Sequence, residues 1–161
     1  MVKDLCHNFK EPFELHLLFR ASEHGFSAYR FHYYCDLKGP TLILAQTNIG
    51  IVGGITPISW DSYSSSRNGG KDNVIFFLKE KRIYRLSEEG QAIVCNGDNG
   101  PIFGTGADLY FSSDLRQGFS SPGNYILEGS KISFTVTELE VYQINARKTC
   151  LLLIDELIFL F

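Results

Sequence analysis

Glycine-containing breaks recur among short apolar runs along most of the chain, and they restrict it to short elements joined by tight reversals. The main ones are Gly39-Pro40-Thr41, Gly53-Gly54 with Trp60 close behind, and Gly100-Pro101-Ile102-Phe103-Gly104 followed by Asp108-Leu109. Glycine reaches positive φ without a Cβ clash and proline holds φ at about −65°, so each cluster predicts a turn between buried elements. These residues set backbone shape and bring no catalytic side chains with them.

Between the breaks the pattern reads mainly as strands. Alternation in Phe13-Glu14-Leu15-His16-Leu17-Leu18-Phe19-Arg20 places Phe13, Leu15, Leu17 and Phe19 on one face of a strand. Past a turn at Glu23-His24-Gly25, Ser27 caps a helix predicted from Ala28 to Lys38, stopped by Gly39 and Pro40 and laid on a sheet by Phe31 and Cys35. Strands are then predicted over Thr41–Thr47, Ile51–Ile55, Val74–Lys79, Arg82–Leu86, Gln91–Asn96, Asp108–Ser112 and Ser133–Ile144. Asn48-Ile49-Gly50, Glu88-Glu89-Gly90 and Asn96-Gly97-Asp98-Asn99-Gly100 supply positive-φ candidates for hairpin turns. Ser62–Asp72 and Gln117–Asn124 are polar and read as mobile loops. The expected fold is mainly β (α+β), a two-sheet antiparallel β-sandwich with a few short flanking helices.

A chain of 161 residues with 44% apolar and 20% charged residues has enough hydrophobic material for one core. We divide it into an N-terminal lead-in (1–12), one domain (13–144) and an apolar C-terminal tail (145–161). The tail is almost wholly apolar from Leu151 to Phe161, too short to span a bilayer. Its open readings are a strand or helix closing the core, an element that meets a partner or a membrane surface, and a non-native or alternatively spliced terminus. The formal charge of −3 argues against nucleic acid as a partner, and Lys79-Glu80-Lys81-Arg82 reads as a solvated hairpin turn. Met1–Lys10 has charges and His7 where a secretory leader has an apolar run, so a reducing, cytoplasmic setting is expected. Cys6, Cys35, Cys95 and Cys150 form no close pair and are expected to be reduced thiols, mostly buried.

Candidate chemistry is sparse. His16, His24, His32 and Cys35 are metal-ligand types in one neighbourhood, but they lack the completing spacing of a zinc site. There is no Gly-x-Ser-x-Gly elbow and no P-loop, and any Ser, His and acid such as Asp108 would form a triad only by geometry. Glu138 and Glu140 share a strand face; alternation there favours water or a basic neighbour over an acid/base pair. Asp108 is suited to accepting the free N–H groups of its own Gly-rich turn, and Trp60 to filling the core.

Taken in order, Phe19–Ser27, Lys38–Leu44, Gly50–Gly54 with Trp60, Val74–Leu78, Gly100–Gly104 with Asp108-Leu109, and Phe134–Tyr142 resemble the TLDc domain of oxidation-resistance proteins. The blocks cover about Phe13 to Ile144 and leave the tail outside. The resemblance implies a β-sandwich and a role in oxidative-stress protection. In several members it also implies binding and regulation of the vacuolar proton-pumping ATPase (V-ATPase), which would place the chain in the cytoplasm and, through that partner, peripheral to endolysosomal membranes.

On the family motif, binding residues are Gly53, Gly54, Trp60, Gly104, Asp108, Glu138 and Glu140. No catalytic residue, cofactor or metal is assigned. The chain departs from the family at Val52, where an aromatic is usual, and at Ile55-Thr56-Pro57, where an aromatic and a short polar turn are usual; these differences leave the expected fold intact and are expected to alter the rim of a binding surface. The alternative is a direct antioxidant or hydrolytic enzyme, which requires Cys35 or Cys95 as an exposed, low-pKa thiol or a Ser/His/acid site.

Overall fold

Strand β11 (Ile132–Ile144) is long enough to serve two sheet regions, and it organises the fold. Its first residues, Ile132 to Thr135, pair with β10 (Gln117–Ser120); from Val136 it pairs with β2 (Thr41–Thr47) on one side and, from Glu140, with β1 (Leu15–Arg20) on the other. A register shift between Val136 and Glu138 marks the passage. The computed structural model describes residues 14–86, 90–126, 128–145, 152, 153, 155 and 156. Among these are eleven strands, all antiparallel, and two short helices, α1 (Ala21–His24) and α2 (Ala28–Cys35). Cys6, His7, the Phe13 end of the first strand, the Glu88-Glu89 turn, Cys150 and most of the tail lie outside the described residues.

The remaining strands are β3 (Gly50–Thr56), β4 (Ser65–Gly69), β5 (Val74–Phe77), β6 (Arg82–Arg85), β7 (Gly90–Cys95), β8 (Ile102–Phe103) and β9 (Leu109–Phe111). Hydrogen bonding runs continuously in the order β4-β7-β8-β9-β10-β11-β2-β3-β5-β6, with β1 beside β11. The two expected sheets are therefore one ribbon folded at β11. Its halves face each other across a common core: Ile43, Val52, Ile75 and Val141 from one half pack with Ile93, Cys95, Phe103 and Phe111 from the other. Trp60 and Phe103 meet edge to face at 5.5 Å within it.

A second cluster covers the outer face of the β2–β3–β5 region. Leu42, Leu44, Ile55, Val74 and Phe76 meet Tyr142, Ile144 and Leu153 there. Burial on both faces explains why β2 and β5 read as unbroken apolar runs and not as alternation. Leu152, Leu153, Asp155 and Glu156 have helical backbone, and the wholly buried Leu153 fits the core-closing reading of the tail at that position. No helix among the described residues is long and apolar enough to cross a membrane.

Several expectations are corrected. A register shift between Leu17 and Phe19 turns the end of β1 over, so Leu15 and Leu17 pack on the outer cluster while Phe19 enters the main core. The four apolar residues therefore do not share one face. Helix α2 starts as expected, with the Ser27 hydroxyl accepting from the Arg30 N–H at 3.2 Å, but ends at Cys35 and not at Lys38. Asp36 is extended and bridges to Trp60, and Leu37 turns at φ 59° to donate its N–H to the Trp60 carbonyl at 2.9 Å.

Gly53-Gly54 is not a turn; it is the middle of β3. The two stretches expected to be mobile loops contain β4, an exposed edge strand paired with β7, and β10, held between β9 and β11. The 96–100 turn needs no positive φ, because the Asn96 side chain accepts from the Asp98 N–H at 2.9 Å and its carbonyl from the Asn99 N–H at 3.1 Å. Positive φ does occur at Gly39, Gly50 and Gly104.

Candidate functional site

The seven family-motif residues fall into three groups, and six of the seven are buried. The first is a close approach between the folded halves. A Cβ on Gly54 would lie 2.5 Å from Phe103 Cζ, and one on Gly53 would lie 2.5 Å from Phe76 Cζ and collide with the Ile43 carbonyl. Neither glycine has positive φ, so both are required by space and not by backbone conformation. Trp60 closes this layer: it is 1% exposed, sits edge to face with Phe31 at 5.7 Å, and donates its indole N–H to Thr41 Oγ1 at 3.0 Å. Val52 and Ile55 are core residues here, and Thr56 donates to Asn73 Oδ1 at 2.7 Å. The departures from the family pattern at Val52, Ile55 and Thr56 thus fall in the interior and not on a surface rim.

The second group is centred on Asp108, which is wholly buried. Its Oδ1 accepts the Asn124 N–H and its Oδ2 accepts those of Tyr125 and Ile126, each at 2.8 Å. The carboxylate therefore organises the 124–126 segment and not its own turn. A Cβ at Gly104 or at Gly123 would run into that carboxylate, and Gly104 also turns at φ 74°. Two glycines thus make room for one charge, whose desolvation is offset by three N–H donors. Tyr125 donates to the Ala92 carbonyl at 2.7 Å, and burial, with Asp108 nearby, pushes its phenol pKa up.

The third group lies where α1 meets β1 and β11. Glu138 caps α1, accepting from Ser22 through both backbone N–H and hydroxyl. Glu140 is 5% exposed; it accepts from Arg20 Nε at 3.0 Å and from the Tyr142 hydroxyl at 2.9 Å. Arg20 also reaches Glu23 at 2.6 Å, and chiefly that bond, with Glu140 and Tyr142, holds the guanidinium protonated beyond its ordinary range. Burial and Glu140 push the Tyr142 phenol up in turn. The expected basic neighbour is therefore Arg20, and it serves Glu140. Glu140 is thus paired with a cation, and Glu138 is taken up by a helix cap.

The metal-ligand types do not converge. His16 lies on β1 opposite Gln143, and His24 packs between Phe19 and Tyr34 with its Nδ1 accepting the Arg20 N–H at 2.9 Å. The buried His32 has Nε2 at 2.9 and 3.1 Å from the Asn96 and Asn99 carbonyls, which places a proton there, while Nδ1 lies 2.7 Å from Asp36 Oδ1. Among the described residues no group of three or more His, Cys, Asp or Glu is placed to hold a metal ion. Cys35 and Cys95 are buried, and desolvation raises both thiols above their ordinary range.

Surface features are elsewhere. A groove of about 320 Å³ runs past Phe77, Arg82, Tyr84, Ile126 and Glu128, with none of the seven motif residues in its wall. Tyr29, Tyr33, Leu37 and Tyr63 are each at least 67% exposed. The sequence reading passed over them. For Tyr29 and Tyr33 the signal was their four-residue spacing on the side of α2 opposite Phe31 and Cys35.

No curated protein matches the chain. The family model described as TLDc domain matches residues 2–145, the greater part of the sequence. The chain belongs to the TLDc domain family.

Proposed function

We propose that the chain is a non-enzymatic interaction domain that contributes to oxidative-stress protection by binding the V-ATPase and regulating its assembly. Membership in the TLDc family supports the link to oxidation-resistance proteins. The observation that carries the docking reading is the use of the family's polar motif residues in holding the fold together. Asp108 is taken up by three backbone N–H groups, Glu140 by Arg20 and Tyr142, and Glu138 by Ser22. Such residues hold a surface in shape and do not act on a substrate. The buried, raised thiols of Cys35 and Cys95 are unsuited to the exposed nucleophile that a direct antioxidant enzyme requires. In this reading the chain acts in the cytoplasm, at endolysosomal membranes through its protein partner.

The test is purified V-ATPase incubated with a stoichiometric amount of the chain. Association of the peripheral and membrane sectors is followed by sedimentation, and proton pumping by a pH-sensitive dye in vesicles. Both are expected to change. Unaltered association and pumping at saturating chain would refute the proposal.

A further inference from the structure

Exposed aromatic side chains on a short helix call for a partner, because a helix in a folded domain normally presents polar residues to water. On α2 the inward face is Ala28, Phe31, His32 and Cys35, all buried. Tyr29 and Tyr33 stand on the opposite side, 70% and 67% exposed, and Leu37, two residues past the end of the helix, is 78% exposed. Tyr63 directly follows Ser62, whose hydroxyl donates to Asp36 Oδ2 at 2.5 Å, so the aromatic is tied to the same end of the helix. The other large exposed apolar residues among those described, Ile132 and Leu152, are at 50% and 40%. Tyrosine is enriched where proteins meet, because it offers a rigid apolar body and a hydrogen-bonding tip for little lost rotamer entropy.

Charge indicates what covers this face. Helix α2 and the residues up to Lys38 contain one carboxylate, Asp36, and it is engaged by His32 and Ser62. Arg30 and Lys38 are two exposed cations without an ion-pair partner among the described residues, beside an apolar row.

The support beneath is rigid. His32 ties α2 to the 96–99 turn, Asp36 ties it to the 60–62 segment, and Ser27 caps its start. We infer that the row Tyr29–Tyr33–Leu37 with Tyr63, bordered by Arg30 and Lys38, is a docking surface for an acidic amphipathic helix of a protein partner. The inference rests on the docking reading above only in taking a protein as the occupant.

The test uses the full chain, labelled for amide NMR, titrated with two synthetic amphipathic helical peptides. They share one leucine/phenylalanine face and carry Glu or Lys on the flanks. The Glu peptide is expected to bind about tenfold more tightly or better, with shifts centred on residues 28–38 and 63, and to weaken with salt. The pair Arg30→Glu and Lys38→Glu is expected to reverse the preference. Tyr29→Ser with Tyr33→Ser is expected to weaken either peptide about tenfold while leaving amide shifts elsewhere unchanged.

Equal or tighter binding of the Lys peptide, no binding of either, or shifts mapping away from α2 would overturn the inference. So would self-association of the free chain abolished by the tyrosine variants, or attachment to anionic vesicles through the same residues. Those last outcomes assign the face to a second copy or to a lipid surface. No ATPase is present in this titration, so its failure is read separately from failure of the V-ATPase experiment.

Discussion

Gly54 and Asp108 show two ways in which one residue sets the fold. Gly54→Val should destabilise by about 1–3 kcal/mol through overpacking against Phe103, and pairing Gly54→Ala with Phe103→Leu should recover part of the loss of Gly54→Ala alone. Urea denaturation checks both; an unchanged midpoint for Gly54→Val would remove the close-approach account. Asp108→Ala strips three N–H groups of their acceptor, and each orphaned buried donor is worth about 1–3 kcal/mol, so a loss of at least about 3 kcal/mol is expected. Asp108→Asn keeps the shape and one good acceptor oxygen and should lose less. The need for glycine at position 54 is visible in sequence only as a small residue within an apolar run. Its reason, the Phe103 ring of the opposing half, comes from a residue nearly fifty positions away.

Helix α2 and strand β4 bracket what could be read at the level of elements. The start of α2 is local chemistry: a serine hydroxyl reaching the N–H three residues on. Ser27→Ala should therefore lower stability by about 1 kcal/mol, measured as a shift in the thermal midpoint, with Ser27→Asp restoring it. The end of α2 is not local, because Asp36 and Leu37 leave the helix for bonds to the Trp60 and Ser62 region. Asp36 still donates its N–H to the His32 carbonyl at 3.0 Å, but the Leu37 N–H goes to the Trp60 carbonyl in place of a helical one.

Strand β4 went unread for the converse reason. Ser65-Ser66-Arg67-Asn68-Gly69 has low β propensity and no alternation, and it is a strand because β7 offers it hydrogen-bonding partners and Asp61 anchors Arg67 at 2.5 Å. The central strands β2 and β3 were legible nearly to the residue, since burial on both faces writes itself as continuous apolar sequence.

At the scale of the whole molecule the buried titratable groups report on the fold as a unit. Cys35 and Cys95 should resist a thiol reagent at about pH 8 in the folded state and react only on unfolding, measured in a Cys6→Ser, Cys150→Ser background. Fast labelling of either would restore the thiol-enzyme alternative. Tyr125 and Tyr142 have folded pKa values raised above the unfolded value of about 10. Their contribution to stability is complete below about pH 10 and is lost as pH rises further, because the unfolded chain then gives up protons that the folded chain keeps. In Tyr125→Phe and Tyr142→Phe comparisons, the tyrosinate absorbance of these two residues should appear together with loss of circular dichroism; ionisation of either in the folded chain would contradict their burial.

The sequence alone determined the class of fold, the strands of the centre and the capped start of α2, because each follows from contacts between chain neighbours or from the periodicity of burial; the family came from the resemblance of its ordered blocks. Tertiary structure decided that the sheet is one ribbon folded at β11, that β1 turns over at its bulge, and that Asp108 and Glu140 are buried. It also decided where α2 ends. These depend on which distant residues fill the space around an element, and no local pattern encodes that.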